Sequence, residues 1–133
     1  MRVIVDTSAW SLVLRRRSPS HDHAAEIERL VRRGRLQMLG LIRQELLTGI
    51  HTSERFNALR DELAEFPDLP LTSREHEDAA RWSNKCRSHG VQSNVVDMLI
   101  CAVALRHDMS IYTLDQDFDS YQRILKFKRH GAT

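Results

Sequence analysis

The sequence predicts an α/β protein built around a mainly parallel sheet that helices cover on both faces. Short β-branched or apolar runs alternate with longer segments of helical periodicity, which is typical of this class. The run VVDMLICAVAL at 95–105 is apolar all round except at Asp97, and this predicts a helix that runs through the core. Its eleven residues are too few to span a membrane, which takes about 20.

Length and composition fit one domain that covers residues 1–133. The chain is 41% hydrophobic and 29% charged, as is usual for a globular domain. No apolar run near the start is typical of a signal peptide, and none is typical of a membrane span. Cys86 and Cys101 lie in helical patterns. We therefore expect reduced cysteines in a cytoplasmic protein that does not enter a membrane.

Arginine supplies 17 of the 20 basic residues, although the net charge is only +2. Its guanidinium suits two-pronged contacts with phosphate. Clusters at 15–17 and 32–35 would fit a nucleic-acid surface. A coding bias toward arginine with solvated helix faces explains the same composition, so the clusters only indicate such a surface.

The first third of the chain predicts two strands and two helices. RVIV at 2–5 is a buried strand that ends at Asp6, and Thr7 or Ser8 can cap the helix that follows. The Ser-Pro-Ser break at 18–20 precedes a second helix over 21–33, which Gly34 ends. An apolar run at 36–42 predicts the second strand.

The middle of the chain is predominantly helical. A helix is predicted from Arg43 to about Gly49, and another over 53–66. Prolines bracket a short segment at 69–71, which is predicted to be a third strand or an extended segment. Thr72 and Glu75 have the spacing of a capping box, which predicts the start of a long helix that runs to His89.

The last third holds the buried helix and the remaining strands. Asn94 and Asp97 repeat the capping-box spacing at the start of that helix. SIYT at 110–113 predicts a strand, and DQDFDSY from Asp115 predicts a short helix or turn. Residues 124–127 are predicted to form a last edge strand.

Acidic residues recur where a strand gives way to a helix or where a helix begins. They are Asp6, Glu45, Asp97, Asp115 and Asp117. In an open parallel sheet the carboxyl ends of the strands share one edge, so we expect these carboxylates to gather there. Each acid alone also fits a cap or a partner of a helix dipole, and for Asp97 the alternative is a capping box with Asn94.

Several carboxylates in one cleft require a cation. Two of them about 4 Å apart repel by about 4 kcal/mol at an effective dielectric constant of 20. Oxygen ligands alone suit Mg²⁺ or Mn²⁺, and such ions assist in-line displacement at phosphorus. One ion or two would fit. The histidine cluster at 21–23 is interpreted as a solvated loop, so zinc is not expected.

Four motifs in order resemble those of PIN-domain ribonucleases, and more narrowly of VapC-type toxins from type II toxin–antitoxin pairs. The motifs are VDTSAW, QELLTG, VDMLICAVAL and TLDQDF, and the resemblance covers nearly the whole chain. It implies a three-layer αβα sandwich with a central, mainly parallel sheet of four or five strands. It also implies Mg²⁺- or Mn²⁺-dependent cleavage of tRNA, rRNA or mRNA, a homodimer, and a VapB-like antitoxin whose C-terminal segment covers the acidic cleft.

The resemblance assigns roles to the acids residue by residue. Asp6, Glu45 and Asp97 match the first three family acids, and Asp115 matches the fourth with Asp117 in reserve. Asp6, Asp97 and Asp115 would hold the metal. Glu45 would be a further ligand or would accept the proton of the attacking water.

Other positions are implied to support this site. Ser8 and Thr113 match hydroxyls that orient acids or water in the family. Many relatives carry a polar residue before the third acid, where this chain has Val96, so Asn94 is the candidate for that orienting role. Weak candidates for contacts with RNA phosphates are Arg15, Arg16 and Arg43.

Two other classes are alternatives. Receiver domains and aspartyl phosphatases also place acids at strand ends, but Asp6 stands alone, no lysine directly follows SIYT, and Ser8 occupies the place of the second acid in a DxD motif. A catalytically weak or dead PIN-fold module that acts through an antitoxin–DNA complex is the second alternative. The complete set of acids favours an enzyme.

Overall fold

A parallel sheet of four strands forms the centre of the protein, in a computed structural model that describes residues 1–15 and 21–131. The strands are β1 (Val3–Val5), β2 (Leu36–Gln37), β3 (Ser110–Tyr112) and β4 (Lys128–Arg129). Their order across the sheet is β2-β1-β3-β4, and each neighbouring pair is parallel. The predicted α/β class with a parallel sheet is confirmed.

Helices separate the strands along the chain and flank the sheet. They are α1 (Thr7–Arg15), α2 (His21–Arg32), α3 (Gly40–Leu47), α4 (Ser53–Leu63), α5 (Ser73–Ser88), α6 (Val95–His107) and α7 (Asp117–Leu125). Among the helices of the described ranges, none combines the length and apolar character that a membrane crossing requires.

β1 lies between β2 and β3, so the order of the strands changes direction at β1. From β1 the chain passes to β2 on one side, and it later returns to β3 on the other side. The register pairs Val5 with Tyr112, so the residues that follow β1 and β3 emerge side by side. Such a switch point opens a crevice at the carboxyl ends of the two strands, where α/β proteins bind ligands.

The core surrounds β1 and α6. Val3, Ile4 and Val5 are all fully buried, and since alternate side chains of a strand point to opposite faces, both faces of the sheet are covered. Every residue of α6 from Asp97 to Ala104 is buried, which confirms the predicted core helix. α5 packs along α6, and it begins with the predicted capping box of Thr72 and Glu75.

The second strand and the helix after it differ from the prediction. β2 is only two residues long, and α3 begins at Gly40 rather than at Arg43. The buried residues Leu39, Ile42 and Leu46 follow the spacing of a helix face. A short apolar run does not distinguish a strand from the start of a buried helix, so the predicted strand over 36–42 was wrong beyond its first residues.

Two other predicted elements differ from the structure. Of the strand and the extended segment considered at 69–71, the strand is wrong, and just before this segment Asp68 forms an isolated bridge with Met38. The edge strand predicted over 124–127 is displaced, because α7 continues to Leu125 and Lys126 ends it in a left-handed conformation with φ 61°. The edge strand is β4, which begins at Lys128. The helix predicted over 53–66 ends earlier, as α4 stops at Leu63.

Candidate active site

Asp6 directly follows β1 and caps α1. Its Oδ1 accepts hydrogen bonds from the backbone N–H groups of Ser8 at 2.9 Å and Ala9 at 3.3 Å. The predicted capping by Thr7 or Ser8 is therefore wrong, since both residues lie inside the helix and the aspartate before them accepts from its free donors. Asp6 is 5% exposed, so its carboxylate is fixed in a nearly dry position.

The hydroxyls of Ser8 and Thr113 hold this carboxylate from two sides. Ser8 Oγ donates to Asp6 Oδ1 at 2.5 Å, and Thr113 Oγ1 donates to Asp6 Oδ2 at 2.6 Å. The Ser8 hydroxyl oxygen also accepts from the backbone N–H of Leu114, and the Thr113 hydroxyl oxygen accepts from that of Asp115, each at 3.0 Å. The end of β1 is thus tied to the loop after β3, with both hydroxyls placed to orient an acid.

Asp97 lies in the first turn of α6, where Asn94 is the N-cap. Asn94 Oδ1 accepts from the Asp97 backbone N–H at 2.7 Å, and Asn94 Nδ2 donates to Asp97 Oδ2 at 3.0 Å. The hydroxyl of Tyr121 donates to the same Oδ2 at 3.1 Å. The capping alternative is therefore realised by Asn94, while the Asp97 carboxylate is itself held by two side-chain donors.

Asp115 and Asp117 complete an acidic group with Asp97. One carboxylate oxygen from each of the three lies within 4.8 Å of the others. Asp115 Oδ1 also accepts from the Asp117 backbone N–H at 2.9 Å, which turns the chain into α7. Both residues considered for the fourth acid therefore come to the same place.

The electrostatics of this group favour a bound cation. Burial raises the pKa of Asp97 to about 6. The hydrogen bond from Tyr121 lowers this pKa, and the charges of Asp115 and Asp6 raise it further. Among the side chains that the structure describes, no Lys or Arg forms an ion pair with any of these acids. Carboxylate oxygens without a protein cation fit a hard divalent ion.

Glu45 is not a member of the three-acid group. It is exposed in the second half of α3 rather than in the first turn, because that helix begins earlier than predicted. Its Oε1 accepts from the Thr7 hydroxyl at 2.8 Å, which brings it to the start of α1 next to Asp6. It lines a cleft of about 640 Å³ with residues of α1, α3 and α4, among them Ser11 and Arg55.

The arginines considered for RNA contacts are placed unequally. Arg43 donates to Asp68 Oδ1 at 3.0 Å and to the Leu63 carbonyl at 2.9 Å, and it also bonds the Phe66 carbonyl. The donors of this guanidinium are therefore used in bonds at and just after the end of α4, which weighs against a role in RNA binding. Arg15 ends α1, and its side chain lies outside the description, as does the whole of Arg16.

Tyr121 is the residue of this site that the sequence reasoning missed. It lies on the buried face of α7 with Phe118 and Leu125, and its ring meets Phe118 edge-to-face at 5.3 Å. A signal was present, since a tyrosine on a buried helix face needs a partner for its hydroxyl. The sequence could not show that the partner is Asp97.

Comparisons with known proteins agree with this geometry. FitAcB from Neisseria gonorrhoeae has a similar fold, with 21% identity over 90% of this chain and 93% of that chain and a TM-score of 0.74. VapBC2 from Rickettsia felis, bound to a DNA fragment from their promoter, has 14% identity over 98% of each chain and a TM-score of 0.80. VapBC-1 from nontypeable Haemophilus influenzae has 16% identity over 98% of this chain and 97% of that chain, with a TM-score of 0.72.

At these identities the structural likeness shows the fold alone. No curated protein sequence matches the chain. The family comparison is more specific, because the PIN domain matches residues 3–124, which include all the acids described above. The ordered motifs, the parallel sheet and the acids at its carboxyl edge agree with that match, and this chain belongs to the PIN domain family.

Proposed function

We propose that this chain is a metal-dependent endoribonuclease and the toxin of a toxin–antitoxin pair. The observation that carries the proposal is the buried Asp97 carboxylate, grouped with Asp115 and Asp117 and close to Asp6. An acid with a raised pKa in a crevice at the carboxyl ends of strands is a candidate for function rather than for stability. PIN domains are generally nucleases, which agrees with this chemistry.

Mg²⁺ or Mn²⁺ is the proposed cofactor. Asp97 and Asp115 would hold it, with Asp6 and Asp117 as the other available carboxylates. When bound, the ion would neutralise these acids, polarise the scissile phosphate and acidify a water molecule. The rigid α6 behind Asp97 would keep that carboxylate in place whether or not substrate is bound.

The residues of the chain would then position and deprotonate the water. Its oxygen attacks the phosphorus in line, and the bond from phosphorus to the 3′ oxygen breaks, which leaves 5′-phosphate and 3′-hydroxyl ends. Glu45, exposed beside Thr7, would accept the proton of the water, and the departing 3′ oxygen takes a proton from solvent. Ser8 and Thr113 would keep the Asp6 carboxylate oriented throughout.

The proposed partners follow from the structural neighbours. These include VapBC and FitAB proteins, two of them bound to DNA. We accordingly propose a VapB-like antitoxin whose C-terminal segment enters the cleft beside Glu45, a homodimer, and a cytoplasmic location. An arginine at that cleft, Arg55, would suit a carboxylate of the incoming segment.

The experiment that tests the nuclease is RNA cleavage by purified protein with Mg²⁺ or Mn²⁺. We expect wild-type protein to cut, a chelator to stop the reaction, and Asp97→Asn to be inactive. Equal cleavage by wild type and variant would contradict the proposal, and so would cleavage that continues at the same rate in the presence of chelator.

A second candidate is a PIN-fold module without useful catalysis that acts through an antitoxin on operator DNA. The DNA-bound neighbours favour it. Expression in cells separates the two candidates: toxicity that Asp6→Ala relieves supports catalysis, whereas toxicity that this substitution leaves unchanged supports the binding module.

A further inference from the structure

A second cavity, of about 610 Å³, lies at the carboxyl ends of β3 and β4. We call it the histidine cavity. Its wall includes His23, Tyr112, Thr113, Gln122, Arg129 and His130. The volume is within the range of small-ligand sites, and the location follows the rule that open parallel sheets bind ligands at their carboxyl edge.

Two histidines face one tyrosine inside this cavity. The His23 and Tyr112 ring centroids are 5.9 Å apart, and those of Tyr112 and His130 are 5.6 Å apart. His23 Nδ1 shares a hydrogen bond of 2.5 Å with the Tyr112 hydroxyl. The interpretation of His23 as part of a solvated loop is therefore wrong, because it lies in the first turn of α2 and is fixed against the sheet.

The charges of the histidine cavity differ from those of the three-acid group. Glu26 pairs with His130 at 3.0 Å, and Asp119 pairs with Arg129. Each of these two carboxylates therefore has a basic partner, and the exposed Asp22 is the third carboxylate of the lining. Among the described residues, the only set of carboxylates, histidines and cysteines close enough to hold a metal is the acidic one, so this cavity is not proposed as a metal site.

Thr113 connects the histidine cavity to the acids. Its hydroxyl donates to Asp6, and its backbone carbonyl accepts from Arg129 at 3.4 Å. It also lines the cavity, together with Leu114, which directly precedes Asp115. An occupant of this cavity would thus lie against the same loop that carries the acids.

We infer that the histidine cavity binds one nucleotide of the RNA substrate, next to the phosphate that is cut. Imidazole and amide groups can pair with the edges of an unstacked base. Proteins recognise single-stranded RNA through such groups, and the half-buried His130 is placed to take part. The inference rests on the proposed nuclease and assigns a determinant of its sequence preference.

The chain offers a matched control for His130. His107 also pairs with a glutamate, Glu75, at 3.1 Å, but it does so between α6 and α5, outside the histidine cavity. Replacing either histidine by alanine therefore removes one His–Glu pair. Only His130→Ala also removes a group from the cavity.

The kinetic experiment compares wild type, His130→Ala and His107→Ala on one RNA, with cleavage sites mapped by sequencing. We expect His130→Ala to raise KM about tenfold, as loss of one hydrogen bond to substrate would, and to broaden the nucleotide preference beside the cut. kcat should change little. His23→Ala, a change in α2 rather than directly after β4, should act in the same direction. Identical KM and cleavage profiles for the His130 and His107 variants would overturn the inference.

A binding experiment without metal separates this inference from the nuclease proposal. Imidazole resonances of the wild-type protein are followed by NMR while AMP, CMP, GMP or UMP is added to about 10 mM, enough to detect weak sites. We expect His130 and His23 to shift and His107 to stay unchanged. No shift at His130 would overturn the inference even in an active nuclease. Shifts in a protein that cuts no RNA would leave the nucleotide site standing while the nuclease proposal falls.

Discussion

The Tyr121 hydroxyl in α7 donates a hydrogen bond of 3.1 Å to Oδ2 of Asp97, twenty-four residues earlier in α6. Asn94 donates to the same oxygen at 3.0 Å. Two donors on one carboxylate oxygen fix the plane of the group and direct its lone pairs. Loss of a partner of this kind around a metal ligand typically lowers metal affinity by about 10- to 100-fold.

Tyr121→Phe should weaken Mn²⁺ binding about tenfold, because the carboxylate loses one of the donors that orient it. The ring and its packing on Phe118 remain, so the protein should stay folded. Titration calorimetry with Mn²⁺ measures the effect. Tyr112→Phe is the matched control for metal affinity, since that hydroxyl bonds His23 rather than an acid. Equal affinities for the two variants would show that Tyr121 has no part in positioning Asp97.

Asp97→Asn should stabilise the metal-free protein at neutral pH. The pKa of Asp97 is raised from 3.8 to about 6 in the folded state, so folding favours the protonated acid. Wild type therefore loses stability as the pH rises from about 4 through 6, and the asparagine variant does not. Above pH 7 the variant should be more stable by about 2 kcal/mol, a little less than the full shift implies.

Urea unfolding in chelator at about pH 4 and about pH 7.5 measures this difference, which should be near zero at the lower pH. Added Mg²⁺ should stabilise wild type and leave Asp97→Asn unchanged. A variant that is much less stable than wild type at both pH values would mean that the Asp97 carboxylate is needed for the start of α6.

Thr113→Val should lower kcat about tenfold, because Asp6 loses a charge-assisted hydrogen bond of 2.6 Å and can turn away from the site. Valine has nearly the same shape, so the packing of the buried residue is kept. Ser88→Ala serves as the control, since it also removes a hydroxyl, one that donates to the Lys85 carbonyl at the exposed end of α5. A loss of stability without a change in cleavage would give Thr113 a purely structural role.

Thr72→Ala should destabilise the protein by about 1 kcal/mol without changing the activity of the folded molecules. Thr72 is the N-cap of α5, and its hydrogen bonds lower the pKa of Glu75 to about 2.

The stability that Glu75 supplies is present above its ordinary pKa of 4.5 and is lost as the pH falls toward 2. Unfolding curves for wild type and Glu75→Gln should therefore converge in acid. For either variant, cleavage that falls by more than the folded fraction would contradict a purely structural role for the capping box of Thr72 and Glu75.

The sequence by itself determined the class of fold and the region of the site. Alternating strands and helices, a wholly apolar helix around one aspartate and acids after the strands all follow from local patterns. The register between β1 and β3 then brings Asp6 beside Thr113, as the parallel topology requires. Local patterning failed at α3, where an apolar run fits a strand and a buried helix equally, and so it misplaced Glu45 within its helix.

Only the tertiary structure decided which side chains touch. The sequence predicts a short helix or turn around Tyr121 and a solvated loop at His23, and it does not show that Tyr121 bonds Asp97 or that His23 bonds Tyr112. Spacing favoured Asp115 and kept Asp117 in reserve, whereas folding brings both to Asp97. The physical reason is that a helix or strand pattern fixes the direction of a side chain relative to its own element. Its partner depends on how distant elements pack, which is set by the whole core.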